Sequence, residues 1–309
     1  MKTKLICIPY AGATGMVYLK WKKYLSDNYD LIPVDLPGRG RRISESFLES
    51  IEKVVEDIIF QLEKIMDERF VYALYGHSMG CLIIYELIHT LRWKNYPMPV
   101  HIFLSGRNPP HYGVDRIISD MDDMDFFEEI SRYGGTPVEF FQHKELLDIF
   151  LPILKSDYKL VEKYVFHPRQ EKIPGNMTFF YSTEDEGVAQ YKIKEWQQYI
   201  AGDLTIHEFE GGHFFIHNHY PKMLALMMED LNRYEQLRKK ILQLLKIGKL
   251  KLFDIAAELR MAESSLLPQI NILKYKDLIL EEEHHLYSLN TSVFDEAAIW
   301  LSKLRSSRQ

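Results

Sequence analysis

The stretch Val71-Tyr72-Ala73-Leu74-Tyr75-Gly76-His77-Ser78-Met79-Gly80-Cys81 constrains the fold more than any other part of the chain. An apolar run ends in Gly-x-Ser-x-Gly, and a helix-like pattern follows through Leu87. This is a strand, a tight turn and a helix, the setting in which a serine is held out as a nucleophile. Gly76 and Gly80 lack a Cβ, so strand and helix can close tightly around the turn. Ser78 Oγ then stands clear of the strand end, and the N–H of Met79 opens a helix whose first donors have no intrahelical acceptor. The alternative is a turn whose serine only caps the helix.

Other apolar runs alternate with helical patterns. Leu5 to Tyr10 reads as a buried strand, followed by the small-residue loop Ala11-Gly12-Ala13-Thr14-Gly15. The Ala11 N–H is the candidate for a second oxyanion donor beside Met79; an ordinary strand-to-helix loop is the alternative. A second strand starts at Tyr29 and ends in Asp35-Leu36-Pro37-Gly38, before Arg39, Arg41 and Arg42. Those arginines suit a phosphate or an acidic partner, or simply form a solvated basic loop. Residues 51–66 carry apolar groups at helical spacing, and strands are expected at 101–106, 176–181 and 204–209. Between the strands at 101–106 and 176–181, residues 115–170 mix acidic and aromatic side chains with two helical stretches around Gly134-Gly135-Thr136-Pro137. An insert of this length suggests a lid. Its aromatics either line an acyl channel or hold the lid together.

The polar candidates fall in the order Ser78, Asp185, His213. That is the serine, acid, histidine order of the α/β-hydrolase plan, a mostly parallel central sheet with a helical lid. A serine hydroxyl is a poor nucleophile until an imidazole takes its proton, and the imidazole needs a carboxylate to fix its tautomer. His213 stands out among twelve histidines because Gly211-Gly212 delivers it after the last strand. Glu184 and Glu186 flank Asp185, and only geometry separates the three. His77 is read as support for the elbow.

A net charge of −6 gives no bulk attraction for nucleic acid. Cys7 and Cys81 both sit in apolar segments, as small core residues of a reducing compartment. Only Leu5 to Ile8 follow the basic Met-Lys-Thr-Lys start before Pro9, too short for a signal sequence, and no apolar run approaches membrane-spanning length. A cytoplasmic protein with no metal site and no membrane association is expected.

Residues 1 to about 230 resemble the type II thioesterases that accompany nonribosomal peptide and polyketide synthetases. The resemblance rests on Ile8-Pro-Tyr-Ala-Gly12, Asp35-Leu-Pro-Gly-Arg39, Gly76-His-Ser-Met-Gly80, Tyr85-Glu-Leu87, Tyr133-Gly-Gly-Thr-Pro137, Leu151-Pro-Ile-Leu154 with Asp157, and Gly211-Gly-His-Phe-Phe215. Ala13 departs from the family, which usually has a second glycine, as does the Ser-Thr-Glu before Asp185. The resemblance implies hydrolysis of thioesters on the phosphopantetheine arms of acyl or peptidyl carrier proteins, clearing stalled or misprimed acyl groups. It implies no cofactor of the enzyme's own. Ser78 would take the acyl group, Met79 and Ala11 amides would hold the oxyanion, and His213 would activate water. Arg39, Arg41 and Arg42 would help dock an acidic carrier protein.

Beyond an α/β-hydrolase domain over residues 1–232, a second unit is expected over 233–309. Helices are predicted at 237–247, 252–259 and 264–275, two short strands within 278–289, and a closing helix at 294–304. The layout resembles a winged helix-turn-helix of the arsenical-repressor class, through Asp254-Ile-Ala-Ala-Glu-Leu259 and Leu286-Tyr-Ser-Leu-Asn290. A recognition helix reads bases with polar and basic side chains. This one offers Leu266, Leu267, Pro268, Gln269 and Asn271, and Glu281, Glu282 and Glu283 would repel phosphate from the wing. Protein contact or dimerisation suits the segment better than DNA. Two other readings remain: a hydrolase-like sensor joined to a DNA-binding tail, and an esterase acting on small soluble esters.

Overall fold

From Leu5 onward, the strand Thr3–Ile8 (β1) has no polar residue to place on a wet face, and it is buried on both sides. The computed structural model describes residues 2–66, 71–132 and 144–293. Around β1 are Tyr29–Pro33 (β2), Tyr72–His77 (β3), Ile102–Ser105 (β4), Met177–Ser182 (β5) and Leu204–Phe209 (β6). They form one sheet in the order β2-β1-β3-β4-β5-β6, every neighbouring pair parallel. A parallel sheet must be covered on both faces, and two apolar clusters do this. On one face, Ile6, Ile8, Leu74 and Leu104 pack with Ile51–Glu63 (α1) and Met79–Trp93 (α2). On the other, Leu5, Cys7, Ala73, Tyr75 and Phe103 pack with Met223, Leu224 and Met227 of Ile216–Leu245 (α6). Successive residues of β1 therefore feed opposite clusters, as the two-residue period of a strand requires.

The chain winds from β1 outward to β2, then crosses back to β3 and continues the other way. The crevice at the carboxyl ends of β1 and β3 is therefore the switch point where sheets of this kind bind ligands. The predicted strands and the helix from residue 51 are all present within a few residues.

Between β4 and β5 lie Asp123–Ser131 (α3) and Lys144–Lys163 (α4), and between β5 and β6 the single turn Gln190–Ile193 (α5). Phe126, Phe127, Ile130 and Leu154 make a third, separate apolar cluster. Phe126 meets Tyr158 edge to face at 5.3 Å. Phe126, Phe127 and Tyr158 thus hold the insert together. The Gly134 to Pro137 motif and the helix expected at 294–304 lie outside the described residues.

The helix expected at 237–247 is the last part of α6, which runs unbroken from residue 216. The division at 232/233 thus falls inside a helix that both parts share. After α6 come Leu250–Lys251 (β7), Leu252–Leu259 (α7), Glu263–Tyr275 (α8), Ile279–Glu282 (β8) and Leu286–Leu289 (β9). The strands form an antiparallel sheet in the order β7-β9-β8. Leu266, Ile270 and Leu273 of α8 join the same cluster as α6. Pro268, Gln269 and Ile272 are also buried. Ser265 Oγ donates to Asn176 Oδ1 at 3.3 Å, and a cavity of about 300 Å³ lies between α8 and the loop at Asn95 to Met98. No described helix is long and apolar enough to cross a membrane.

Candidate active site

Ser78 follows β3 at the switch point with φ 51° and ψ −114°, a backbone that L-residues rarely adopt. The two glycines make that turn possible. A Cβ on Gly76 would lie 2.6 Å from the Gly80 carbonyl oxygen, and one on Gly80 would lie 2.9 Å from the Ile8 carbonyl oxygen. Strand, helix and the neighbouring β1 therefore touch backbone to backbone. Ser78 N–H donates to the Ser105 carbonyl at 2.9 Å, tying the elbow to β4. Met79 is the first residue of α2, so its N–H has no carbonyl one helical turn back to bond.

Asp185 follows β5 and His213 follows β6, so both loops leave the same edge of the sheet as Ser78. The structure brings these two together: His213 Nδ1 donates to Asp185 Oδ2 at 2.8 Å. Asp185 is 4% exposed, whereas Glu184 and Glu186 are exposed. Asp185 Oδ1 also accepts the Gly187 N–H at 3.1 Å, which fixes the carboxylate plane. Glu184 has a different task, since its Oε1 accepts the Gly211 N–H at 3.2 Å and links the acid loop to the histidine loop.

His77 is buried, and its ring lies 4.8 Å from that of His213. Its Nδ1 bonds Ser105 Oγ at 2.9 Å, and that hydroxyl bonds Tyr75 OH at 2.8 Å. Burial first, then His213 and His217 as neighbours, push its pKa well below the usual histidine range. A neutral ring here packs against His213 without competing for protons. Phe214 meets Tyr10 edge to face at 5.1 Å, and Tyr10 OH bonds His217 Nε2 at 3.0 Å. These residues wall one side of the site.

The arginines after β2 require a correction. Arg39 is 2% exposed and cannot meet a partner's surface. Its guanidinium makes a two-pronged ion pair with Asp157 of α4, NH1 to Oδ2 and NH2 to Oδ1, the latter at 2.6 Å. Asp157 itself is fully buried. Arg42 is also committed inward, with NH1 and NH2 each 2.7 Å from Asp57 and Nε 2.7 Å from Glu45 Oε1. Arg41 alone of the three has a largely exposed side chain, while its Nε donates to Asp35 Oδ2 at 2.8 Å. Sequence reasoning gave Asp157 no role, although a carboxylate on the apolar side of an amphipathic helix was the available signal.

The carboxyl edge thus collects a strained serine, a buried carboxylate–imidazole pair and two loops of small residues. The profile of the Thioesterase domain family matches residues 3–231. The thioesterase PikA5 of Streptomyces venezuelae is 30% identical over 217 residues, covering 70% of this chain and 76% of that protein. The crystal structure of ClbQ, from the colibactin NRPS/PKS pathway, superposes with a TM-score of 0.72 at 32% identity, covering 75% of this chain and 98% of that one. RedJ, a thioesterase of the prodiginine pathway of Streptomyces coelicolor, superposes with a TM-score of 0.68 at 32% identity, covering 73% and 88%. The chain belongs to the Thioesterase domain family and is a thioester hydrolase of the α/β class.

Proposed function

We propose that the chain removes acyl groups from the phosphopantetheine arms of carrier proteins in a synthetase assembly line. The observation that carries this reading is the buried Asp185–His213 pair, on the same sheet edge as the strained Ser78. In this reading Ser78 Oγ attacks the thioester carbonyl while His213 Nε2 takes the hydroxyl proton. Met79 and Ala11 N–H groups receive the developing oxyanion. The C–S bond breaks, the thiol of the arm leaves with the proton from His213, and an acyl ester remains on Ser78. Water, deprotonated by His213, then attacks the ester, and the free acid and the serine hydroxyl are released. Asp185 holds Nδ1 protonated, so that Nε2 faces the serine as a base. The chain needs no cofactor of its own, since phosphopantetheine arrives with the substrate.

Support for the substrate class comes from the relatives. ClbQ is named for an NRPS/PKS pathway, and the relative GrsT of Aneurinibacillus migulanus for gramicidin S biosynthesis. Arg41 is the arginine of its loop that can reach an acidic carrier protein, as Arg39 and Arg42 are spent on internal pairs. A cytoplasmic location fits such partners.

In this reading the end of α6, with α7, α8 and the β7-β9-β8 sheet, forms a winged-helix-like unit; the order of these elements along the chain supports it. Its α8, where bases would be read, is turned against the hydrolase body through Ser265, Pro268 and Ile272. That placement favours a fixed buttress or protein-contact module over a DNA reader. The test of the whole reading is intact-protein mass spectrometry of a panel of acylated carrier proteins. Loss of acyl groups with the native enzyme and not with Ser78→Ala supports it; equal loss with both overturns it.

A further inference from the structure

The loop between β1 and the helical turn at Gly15–Tyr24 is clamped on each side of Ala11. Ahead of Ala11, the Tyr10 carbonyl accepts the Ala13 N–H at 3.0 Å. In a trans peptide the C=O and N–H point opposite ways, so this bond aims the Ala11 N–H away from the turn. Behind Ala11, the Gly12 N–H donates to Asp157 Oδ2 at 2.7 Å. That bond fixes the Ala11–Gly12 peptide plane. The Ala13 carbonyl accepts from Arg39 NH1 at 3.4 Å, and Arg39 in turn grips both oxygens of Asp157. Leu154, one turn earlier on α4, presses on the same spot: a Cβ on Gly12 would lie 2.4 Å from its Cδ2. Gly12 has φ +79°, a backbone that another residue would adopt only under strain.

We propose that Asp157 is a positioning residue for the oxyanion site: by accepting the Gly12 N–H from the insert helix α4, it holds the Ala11 N–H in line, so the site is complete only while α4 is seated. This rests on the assignment of Ala11 as an oxyanion donor. The carboxylate touches no reacting atom. It acts through one peptide plane, and Arg39 balances its charge so that it can stay buried. Misplacing a catalytic donor by about 1 Å can cost on the order of a hundredfold in rate, and losing an oxyanion donor outright costs about 100- to 1000-fold.

The test must separate loss of alignment from loss of fold. Replacing a buried ion pair by apolar groups is often neutral for stability, whereas removing one partner is not. Two double variants are therefore compared with the native enzyme. Arg39→Met with Asp157→Leu removes the acceptor for Gly12, while Arg39→Met with Asp157→Asn keeps an amide oxygen there. The expected result is a kcat for thioester hydrolysis lower by about 10- to 100-fold in the Leu variant and within about threefold of native in the Asn variant, with KM little changed in both. Equal kcat in the two folded variants overturns the proposal. If either variant does not fold, the native protein answers through residue-resolved hydrogen exchange at the Gly12 amide. Alignment is reciprocal, so an alkylboronic acid bound as a tetrahedral adduct on Ser78 slows Gly12 exchange; unchanged exchange overturns the proposal. Failure of the functional reading itself looks different, because Ser78→Ala would then hydrolyse thioesters as fast as the native enzyme.

Discussion

His213 Nδ1 lies 2.8 Å from Asp185 Oδ2, and the two residues reach each other from loops that follow different strands. A carboxylate can only accept, so the shared proton sits on Nδ1, and Nε2 is the unprotonated nitrogen that serves as base in the proposed reaction. Asp185→Asn keeps the shape of the site but favours the wrong tautomer. The expected fall in kcat is about 10³- to 10⁴-fold, with the fold retained by circular dichroism. Glu186→Gln is the control: its side chain is exposed and the change leaves kcat/KM unaltered in the same assay.

The elbow depends on backbone contact. A methyl group on Gly76 would sit 2.6 Å from the Gly80 carbonyl oxygen, a backbone atom that cannot swing aside as a side chain can. Gly76→Ala is expected to lose about 1–3 kcal/mol of folding free energy in urea titrations and to lose activity at temperatures where the variant is still folded. A fully active, equally stable variant would contradict this packing.

Arg39 and Arg41 are two residues apart and differ in burial. Arg39→Ala leaves Asp157 buried without its counter-charge, which costs about 3–5 kcal/mol. Arg41→Ala removes a largely exposed side chain whose Nε bonds the buried Asp35, and costs less, about 1–3 kcal/mol. If Arg41 meets the carrier protein, Arg41→Glu raises KM for acyl-carrier protein and not for the matching free acyl thioester, and the difference shrinks as salt is added.

Acid should loosen the protein through its buried histidines. Burial lowers the His101 pKa to about 3, between Tyr234 OH at 2.7 Å and Thr178 Oγ1 at 2.8 Å. Burial also lowers His89 to about 4 and His77 well below its usual value. The unfolded chain takes up protons below pH about 6.5 that these folded rings refuse, so their stability is whole above that pH and declines as pH falls toward their folded pKa values. Each contributes about 1.4 kcal/mol per pH unit within its window. Urea midpoints should fall between pH 7 and 5, and the fall should be shallower in His101→Gln. An unchanged slope in that variant would remove His101 from the explanation.

These relationships differ in how visibly the sequence carries them. The elbow was legible because its causes are local: two glycines and a serine at fixed spacing dictate the turn. Asp185 and His213 were legible through chain order, although choosing Asp185 over Glu184 and Glu186 needed the burial that only the folded loop provides. Arg39 was misread as a surface group because its partner, Asp157, lies 118 residues away in an insert whose placement no local pattern encodes. The length of α6 was missed although its signal was present. Met223, Met227, Leu231, Tyr234, Ile241 and Leu245 are buried at helical spacing along it, one stripe that packs first on the sheet and then on α8. Helices α7 and α8 and the β8–β9 hairpin were readable from periodicity, but the burial of α8 against the body is a tertiary fact.

The most direct test is to trap the acyl group in transit. Native enzyme mixed with acyl-carrier protein is quenched in acid within milliseconds and digested, and the peptide that includes Ser78 is weighed. The account predicts an added mass equal to the acyl group, on Ser78, that appears and decays as free acid forms. Turnover at the native rate with no adduct on that peptide, or an adduct on a different side chain, would contradict it.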